Sequence, residues 1–324
     1  MKAVLCRSFG GPETLVVEDV PEPRPGAGEA LVRVRLAALN FFDTLIIENK
    51  YQLKPPLPFS PGAEFCGTVE ALGPGTDGVK VGERVIGSIG HGACRELVTA
   101  EAKRLTPVPD GVLDEQAAGL TITYGTSLHA LKDRAKLEAG ETLAVLGAAG
   151  GVGLAAVEIG KLMGARVIAC ASADDKLAVA REHGAAMTLN YAAESLRDGL
   201  RRLTEGRGVD VLYDPVGGDL AEPALRSMAW KGRYLVIGFA AGEIPKLPLN
   251  LVLLKGCDVQ GVFWGSFVDR EPAAHAVNMA WLLAHVAGGS LSARVEAVFP
   301  LAETPAALGV LARREAKGKV LVRP

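Results

Sequence analysis

A glycine-rich turn between an apolar strand and an amphipathic helix constrains this chain most strongly. Residues 142–147 form an apolar run, and the turn that follows contains Gly150, Gly151 and Gly153. Glycine lets a pyrophosphate approach the backbone where a Cβ would clash, and a helix start offers free N–H groups and partial positive charge. Apolar residues of 151–164 recur at helical spacing. The pattern predicts a dinucleotide-binding βαβ unit, although such a turn can also join a strand to a helix without any ligand.

From about Tyr124 onward, apolar runs alternate with helical stretches, which indicates a parallel sheet covered by helices. Strands are predicted at 142–147, 166–171, 186–189, 209–213, 233–237 and 258–263, and helices near 151–164, 174–183, 193–204 and 219–229. Six strands with interleaved helices predict a doubly wound domain of the α/β class.

The two ends of the chain show a different pattern. From Lys2 to about Leu105, short runs rich in Val, Leu and Ile are separated by Pro and Gly clusters, which is typical of a compact, mainly-β unit. The last sixty residues carry helical patterns at 271–287 and 303–313 and a closing strand at 319–322. We expect one domain formed by 1–123 and 265–324, and a second formed by 124–264.

Composition narrows the function classes. Lys and Arg total 35 against 37 Asp and Glu, and the net charge of −2 is spread without long single-sign runs, so nothing favours binding to nucleic acid or membrane. The start of the chain lacks a signal-peptide pattern, and the five cysteines are odd in number and widely spaced. We therefore expect a cytoplasmic protein with reduced thiols.

The end of the second predicted strand bears on the choice of dinucleotide. A carboxylate there would accept hydrogen bonds from a free ribose 2′-hydroxyl and repel a 2′-phosphate. The strand ends in the hydroxyl of Ser172, followed by Asp174 and Lys176. Asp174 could serve as the acid for NAD, or it could simply begin a helix, while Lys176 is a candidate phosphate partner. These residues alone leave both cofactors open.

Several motifs, in chain order, resemble those of a known family. They are GGPE (Gly10–Glu13), LNFFD (Leu39–Asp43), PFSPGAEFCGTV (Pro58–Val69), VGERVIG (Val81–Gly87), GAAGGVG (147–153) and YDPVGG (Tyr213–Gly218). Together they resemble the zinc-independent quinone oxidoreductases, the zeta-crystallin-like branch of the medium-chain dehydrogenase/reductase superfamily. The resemblance covers essentially the whole chain. It implies a GroES-like catalytic domain built from both chain ends, a Rossmann domain, a cleft between them, and hydride transfer from NADPH to a quinone or another conjugated carbonyl.

The resemblance also implies roles for individual residues. Lys176 and Tyr191 match a lysine and a tyrosine that hold the 2′-phosphate of NADPH in the family, with Ser172 beside them, and Asn40 and Asp43 match an Asn-x-x-Asp pair of the family's cleft. The cofactor candidates are Asn40, Thr126, Gly150, Gly151, Val152, Ser172, Lys176, Tyr191, Gly238, Phe239, Phe263, Trp264 and Lys319.

Hydride transfer to a carbonyl creates an anion that needs a nearby hydrogen-bond donor. Tyr51, or a water polarised by Asn40, could supply it, although a lone tyrosine is more often a packing residue. Phe263 and Trp264 could stack on flat substrates or belong to the core. The catalytic candidates are Asn40, Asp43 and Tyr51.

The sequence lacks the residues that would bind zinc. The zinc-dependent alcohol dehydrogenases share the implied architecture, and their catalytic zinc needs a Cys, the His of a Gly-His-Glu motif, and a third Cys or acid. Their structural zinc needs four closely spaced cysteines. The matching position here reads Gly62-Ala63-Glu64, and the region after Arg84 contains only Cys94. We expect no bound metal.

The sequence leaves two alternative functions open and predicts a homodimer. An NADPH-dependent 2-alkenal or enoyl-thioester reductase, acting for example on acryloyl-CoA, is an alternative that uses the same cofactor. A crystallin-like structural or RNA-binding protein is an alternative of another class, which the lack of a basic stripe disfavours. The sixth strand, 258–263, should form an exposed sheet edge, and we expect a homodimer that pairs two such edges.

Overall fold

A computed structural model describes residues 1–324, which divide into two compact units. Unit 1 combines Met1–Ile122 with Met279–Pro324, and unit 2 is Thr123–Asn278. The strands are β1 (Lys2–Leu5), β2 (Val16–Asp19), β3 (Glu29–Leu39), β4 (Glu64–Leu72), β5 (Arg84–Ser88), β6 (Leu97–Glu101), β7 (Leu105–Pro107), β8 (Thr142–Leu146), β9 (Arg166–Ala171), β10 (Met187–Asn190), β11 (Val209–Asp214), β12 (Met228–Val236), β13 (Asp258–Gly261), β14 (Val295–Pro300) and β15 (Lys319–Arg323).

Both units contain α-helices. They are α1 (Phe41–Ile47), α2 (Asp114–Ala118), α3 (Thr123–Leu128), α4 (Gly151–Leu162), α5 (Asp174–Glu182), α6 (Leu196–Leu203), α7 (Ala221–Arg226), α8 (Leu249–Lys255), α9 (Trp264–Arg270), α10 (Pro272–Ala287) and α11 (Thr304–Ala312). None of these helices is long and apolar enough to cross a membrane. The five cysteines are all buried and unpaired.

Unit 2 is built on a parallel six-stranded sheet of order β10-β9-β8-β11-β12-β13. Chain order reverses between β8 and β11, which is the switch point of a doubly wound fold. The predicted α/β class is therefore confirmed, and β13 lies at the sheet edge as expected.

Among the strands of unit 2, two boundaries differ by two or more residues from the sequence prediction. β12 begins at Met228 rather than 233, because its first residues pair with Val209 across a register shift that includes a positive φ of 61° at Lys231. β13 ends at Gly261 rather than 263. Trp264 consequently begins helix α9 instead of closing the strand.

Unit 2 also continues beyond the expected end at 264. The ring of His129 stacks on Phe267 of α9, with centroids 3.8 Å apart. Lys132 Nζ donates to Asn278 Oδ1 at 2.9 Å. These contacts hold the stretch after Trp264 on unit 2 as far as Asn278.

Unit 1 is a mainly-β unit in which the closing strand returns to an early one. Its seven-stranded sheet has the order β14-β15-β3-β4-β5-β7, with β6 paired to β3. β15 runs antiparallel to β3 and places Val320 opposite Leu39. β4 pairs with the same strand, so that Glu64 lies opposite Ala38. This register brings Lys319, Asn40 and Glu64 together although they are far apart in sequence.

The glycine turn of unit 2 depends on close backbone approach. Gly147 has a φ of 58°, and its carbonyl oxygen accepts a hydrogen bond from Gly150 N at 3.0 Å. A Cβ on Gly153 would lie only 2.2 Å from that same oxygen. A Cβ on Gly150 would have nothing closer than 3.4 Å. Position 153 therefore requires glycine for steric reasons, whereas position 150 does not.

This difference predicts opposite responses to alanine. Gly153→Ala should lower the stability of unit 2 by about 1–3 kcal/mol, because backbone atoms must move to relieve the clash. Gly150→Ala is the matched control and should leave the thermal unfolding midpoint nearly unchanged. Without the clash, alanine would be the more favourable residue at position 153, which lies inside α4. A higher unfolding midpoint for Gly153→Ala would contradict the steric argument.

Candidate functional site

The N-terminus of α4 presents backbone donors without a side-chain cap. Gly150 is the N-cap residue and supplies no capping hydrogen bond, and the turn continues through Gly151 and Val152, both half-buried. Ser127 Oγ donates to Val152 O at 2.9 Å and is 2.8 Å from the hydroxyl oxygen of Tyr213. These contacts hold the turn against the buried Ser127 and Tyr213 side chains. Free N–H groups at a helix start form a ready anion site.

The 2′-phosphate candidates gather at two neighbouring strand ends. β9 and β10 are parallel, and Tyr191 N donates to Ala171 O at 3.1 Å, so Ser172 and Tyr191 leave the sheet side by side. Ser172 is exposed, and Lys176, in the first turn of α5, is half-buried like Tyr191. Ser172 and Tyr191 thus lie at adjacent strand ends, and Lys176 lies in the first turn of the helix that follows β9.

Asp174, the candidate acid for NAD, is engaged by the neighbouring strand. Asn190 Nδ2 donates to Asp174 Oδ1 at 2.8 Å. The carboxylate is therefore held against the end of β10 while it also occupies the first turn of α5. This position explains the aspartate as part of the helix start.

A buried carboxylate that sequence reasoning missed organises the loop after β11. Asp214 Oδ1 accepts the N–H groups of Val216 and Gly217, each at 2.8 Å, and its other oxygen accepts the Tyr234 hydroxyl. Burial raises the pKa of Asp214, and these hydrogen bonds act in the opposite direction. Gly238 N approaches Asp214 O at 3.4 Å. The carboxylate thereby joins the loop after β11 to Tyr234 of β12, while the backbone carbonyl of Asp214 faces Gly238 N, and the YDPVGG motif was its only sequence signal.

The remaining unit 2 candidates have different environments. Gly238 and Phe239 are half-buried, and Thr126 is buried in α3. Phe263 is 68% exposed, whereas Trp264 is 9% exposed and its indole packs against Gly125. Phe263 is available to a ligand, and Trp264 is largely a packing residue.

In unit 1, Asn40, Glu64 and Lys319 form a buried polar network. Lys319 Nζ donates to Glu64 Oε1 at 2.7 Å, to Asn40 Oδ1 at 2.8 Å and to Leu39 O at 3.0 Å. Asn40 Nδ2 donates to Glu64 Oε1 at 3.0 Å, and Ile122 N donates to Glu64 Oε2 at 2.7 Å. Lys319 is a cofactor candidate, but all three of its ammonium hydrogens are donated to protein acceptors.

Asp43 and Tyr51 lie next to this network. Asp43 Oδ2 accepts Asn40 N at 2.7 Å and Oδ1 accepts Gly62 N at 3.1 Å, so both oxygens serve the backbone. Tyr51 is half-buried, and its ring stacks on Phe42 with centroids 5.2 Å apart. Burial raises the pKa of Tyr51, and the nearby Asp43 charge adds to that effect. The structure thus gives Asp43 a helix-capping role and packs Tyr51 against Phe42 of α1.

The residues at the expected zinc position do not suit a metal. Ala63 is fully buried and offers no donor atom, and the neighbouring Glu64 is already paired with the Lys319 ammonium. A divalent cation at this carboxylate would face that positive charge directly. No group of three or more His, Cys, Asp or Glu side chains in the chain could hold a metal ion.

Comparison with known proteins agrees with this architecture. Residues 26–110 match the alcohol dehydrogenase GroES-like domain, and residues 151–280 match the family described as zinc-binding dehydrogenase. The rat quinone oxidoreductase-like protein 2 is 38% identical over 99% of this chain and 91% of its own length. The quinone oxidoreductase of Pseudomonas aeruginosa is 34% identical over 100% of this chain and 99% of its own.

A solved structure extends the similarity to the fold. The Escherichia coli quinone oxidoreductase, crystallised with NADPH, superimposes with a TM-score of 0.93 at 27% identity and covers all of both chains. The chain belongs to the quinone oxidoreductase-like family of medium-chain dehydrogenases/reductases. The resemblance inferred from the motifs is therefore confirmed, and the protein is an oxidoreductase of this family.

Asp43 predicts a pH dependence of stability. Burial raises the pKa of its carboxyl group from the ordinary 3.8 to about 7, against the lowering effect of the Asn40 N–H. Between these two values the folded state binds more protons than the unfolded state, so the stability contributed by Asp43 is present at low pH and is lost as pH rises through 7.

Thermal unfolding at a series of pH values tests this contribution. The stability of the wild type relative to Asp43→Asn should be greatest at the acid end of the window and should shrink toward neutral pH. Asp19→Asn, at an exposed carboxylate, is the control. A difference between wild type and Asp43→Asn that grows with pH would contradict the assignment.

Proposed function

We propose that this protein transfers hydride from NADPH to a quinone or a similar conjugated carbonyl without a metal. The observation that carries the proposal is the uncapped start of α4, together with Ser172 and Tyr191 at adjacent strand ends and Lys176 in the first turn of α5. Backbone donors suit a pyrophosphate, and a lysine with two hydroxyls suits a 2′-phosphate. Crystallised NADPH complexes of quinone oxidoreductases with this fold support the same cofactor.

The turn fits this cofactor on steric grounds. Only a backbone lacking Cβ at Gly153 allows the strand and helix to approach as closely as they do, and this leaves the helix-start amides open to an anion. Gly151 and Val152 would contact the pyrophosphate, and Gly238, Phe239 and Thr126 are the further proposed contacts. When bound, the dihydronicotinamide supplies the hydride, and the protein supplies orientation and hydrogen bonds.

On the substrate side, the proposed donors are the Asn40 amide and the Tyr51 hydroxyl. Reduction of a conjugated carbonyl places negative charge on its oxygen, and a preorganised N–H or O–H donor stabilises that charge. Ala63 stands where the zinc-ligating histidine would be, and the neighbouring Glu64 is paired with Lys319, so the proposed reaction relies on the polar groups of Asn40 and Tyr51. Asp43 holds the helix that carries this site and has no proposed contact with substrate.

Stopped-flow measurement of NADPH oxidation tests this function. The panel is 1,4-benzoquinone, 9,10-phenanthrenequinone, 2-alkenals, crotonyl-CoA and acryloyl-CoA. We expect turnover with the quinones, and dialysis against EDTA should leave the rate unchanged. A rate at least tenfold higher with an enoyl thioester would favour the 2-alkenal or enoyl-thioester reductase instead. A requirement for stoichiometric zinc, or no turnover with any acceptor, would refute the proposal.

NADPH preference predicts a selective effect at Lys176. Loss of a charge-assisted hydrogen bond, about 1.5–3 kcal/mol, corresponds to a rise of roughly 10- to 100-fold in the KM for NADPH. Lys176→Ala should produce that rise and leave the KM for NADH nearly unchanged. Lys103→Ala, at an exposed lysine in unit 1, serves as the control. Equal increases for both cofactors would mean that Lys176 does not contact the 2′-phosphate.

We also propose a homodimer formed at β13. This strand is the edge of the six-stranded sheet, Val259 on it is 40% exposed, and α8 just before it exposes Leu249, Leu253 and Leu254. Unpaired backbone groups beside an apolar surface favour pairing with a second copy.

Analytical ultracentrifugation tests the dimer. Val259→Glu should produce monomers, because two copies of the new charge would meet near the twofold axis. Val81→Glu makes the same change at a 61% exposed valine of unit 1 and should leave the dimer intact. A wild-type monomer at micromolar concentration would refute the interface.

A further inference from the structure

The Asn40 amide has a single orientation available to it. Its oxygen accepts Lys319 Nζ at 2.8 Å, and its nitrogen donates to Glu64 Oε1 at 3.0 Å. An ammonium can meet only the oxygen, and a carboxylate can meet only the NH2 group, so a flipped amide would lose both bonds. Asn40 is 7% exposed, and its second Nδ2 hydrogen has no acceptor in the structure.

The two partners are themselves immobilised. Glu64 is fully buried and Lys319 is 3% exposed. Every ammonium hydrogen has an acceptor, and Glu64 Oε2 is occupied by Ile122 N at 2.7 Å. The lysine stem passes over Gly119, where a Cβ would lie 2.6 Å from Lys319 Cγ. The ammonium hydrogens, both Glu64 oxygens and the Asn40 oxygen therefore all have hydrogen-bond partners, and one hydrogen of the Asn40 amide does not.

Such a pair is costly if it serves stability alone. Removing two charges from water carries a penalty that their attraction often fails to recover, and apolar residues of similar volume commonly replace buried pairs without loss. The ammonium also draws electron density from the amide oxygen, which strengthens the remaining N–H as a donor. That donor is suited to an oxygen on which negative charge develops.

We propose that Lys319 and Glu64 are positioning residues that hold the Asn40 amide with one N–H free for the ligand. The inference deepens the proposed function, because it rests on the assignment of Asn40 as a donor to substrate or cofactor. It assigns Lys319 an indirect role through Asn40, in place of the direct cofactor contact suggested by the resemblance.

The first test uses the protein without cofactor or substrate. Selective 15N labelling of the five asparagines gives few side-chain amide signals, and exposed Asn49 is an internal reference. In the wild type, the two Asn40 hydrogens should be well separated in chemical shift, with slow exchange for the one bonded to Glu64. An averaged Asn40 signal like that of Asn49 would overturn the proposal.

The variant Lys319→Met/Glu64→Gln removes both charges and leaves no unpaired ion. It should collapse the separation of the Asn40 signals. The matched control is Arg233→Met/Glu141→Gln, which removes an ion pair of unit 2 joined at 2.7 and 2.6 Å. The control should leave the Asn40 signals unchanged, and an equal loss of separation in both would refute a specific positioning role.

Kinetics separates positioning from general destabilisation. The double variant should lower kcat/KM for the best acceptor at least tenfold. Adding Asn40→Ala to it should give a rate within about twofold of Asn40→Ala alone, because residues that act through one group are not additive. Independent, multiplicative losses, or no loss in the double variant, would overturn the inference. A wild type inactive with every acceptor would instead refute the proposed function, and the NMR result would still decide the orientation.

Discussion

The pairing of Lys319 with Glu64 joins residues 255 positions apart and depends on much of unit 1 being in place. It requires β15 and β4 to lie on either side of β3 in the observed register, with Gly119 leaving room for the lysine stem. Because either charge buried alone would be strongly destabilising, the pair can form only when these strands have assembled. The electrostatic requirement thus couples both ends of the chain to the site at Asn40.

Unit 2 depends on a steric constraint at Gly153, as unit 1 depends on the Lys319–Glu64 pair. The strand β8 and the helix α4 approach so closely at Gly153 that a single methyl group would meet the Gly147 carbonyl. This closeness leaves the amides of the helix start unprotected by any side chain. The buried Asp214 carboxylate then fixes the adjacent loop through two hydrogen bonds and accepts a third from Tyr234 of β12. Both sets of groups lie at the carboxyl ends of parallel strands, where ligands bind in sheets of this kind.

The family includes proteins described as zinc-binding dehydrogenases and as quinone oxidoreductases, so the shared fold does not decide the chemistry. In this chain the decisive difference is local. An alanine replaces the metal-ligating histidine, and the next residue, Glu64, is neutralised by an ammonium. The proposed conjugated acceptor would suit such a site, because its reduction requires a donor for the oxygen and no strong Lewis acid.

Local pattern was sufficient for most of unit 2. The strands, the glycine turn and the helix that follows it depend on interactions between residues close in sequence, and the observed elements lie near their predicted positions. The start of β12 and the early end of β13 were not predicted, since a register shift and the packing of α9 involve distant residues. The extension of unit 2 to Asn278 has the same cause, because it rests on contacts with His129 and Lys132.

The candidate functional residues also fall into those recognisable from local sequence and those whose role depends on distant contacts. Motifs and their order were enough to identify the family and to propose the cofactor-binding turn and the 2′-phosphate candidates, because these are contiguous segments whose chemistry can be recognised one at a time. The role of Lys319 could not be read from sequence, where it was one more cofactor candidate, and Glu64 was noted only beside a missing histidine. Their connection to Asn40 depends on strand register and on the loss of solvent around two charges, and both arise only when the chain has folded.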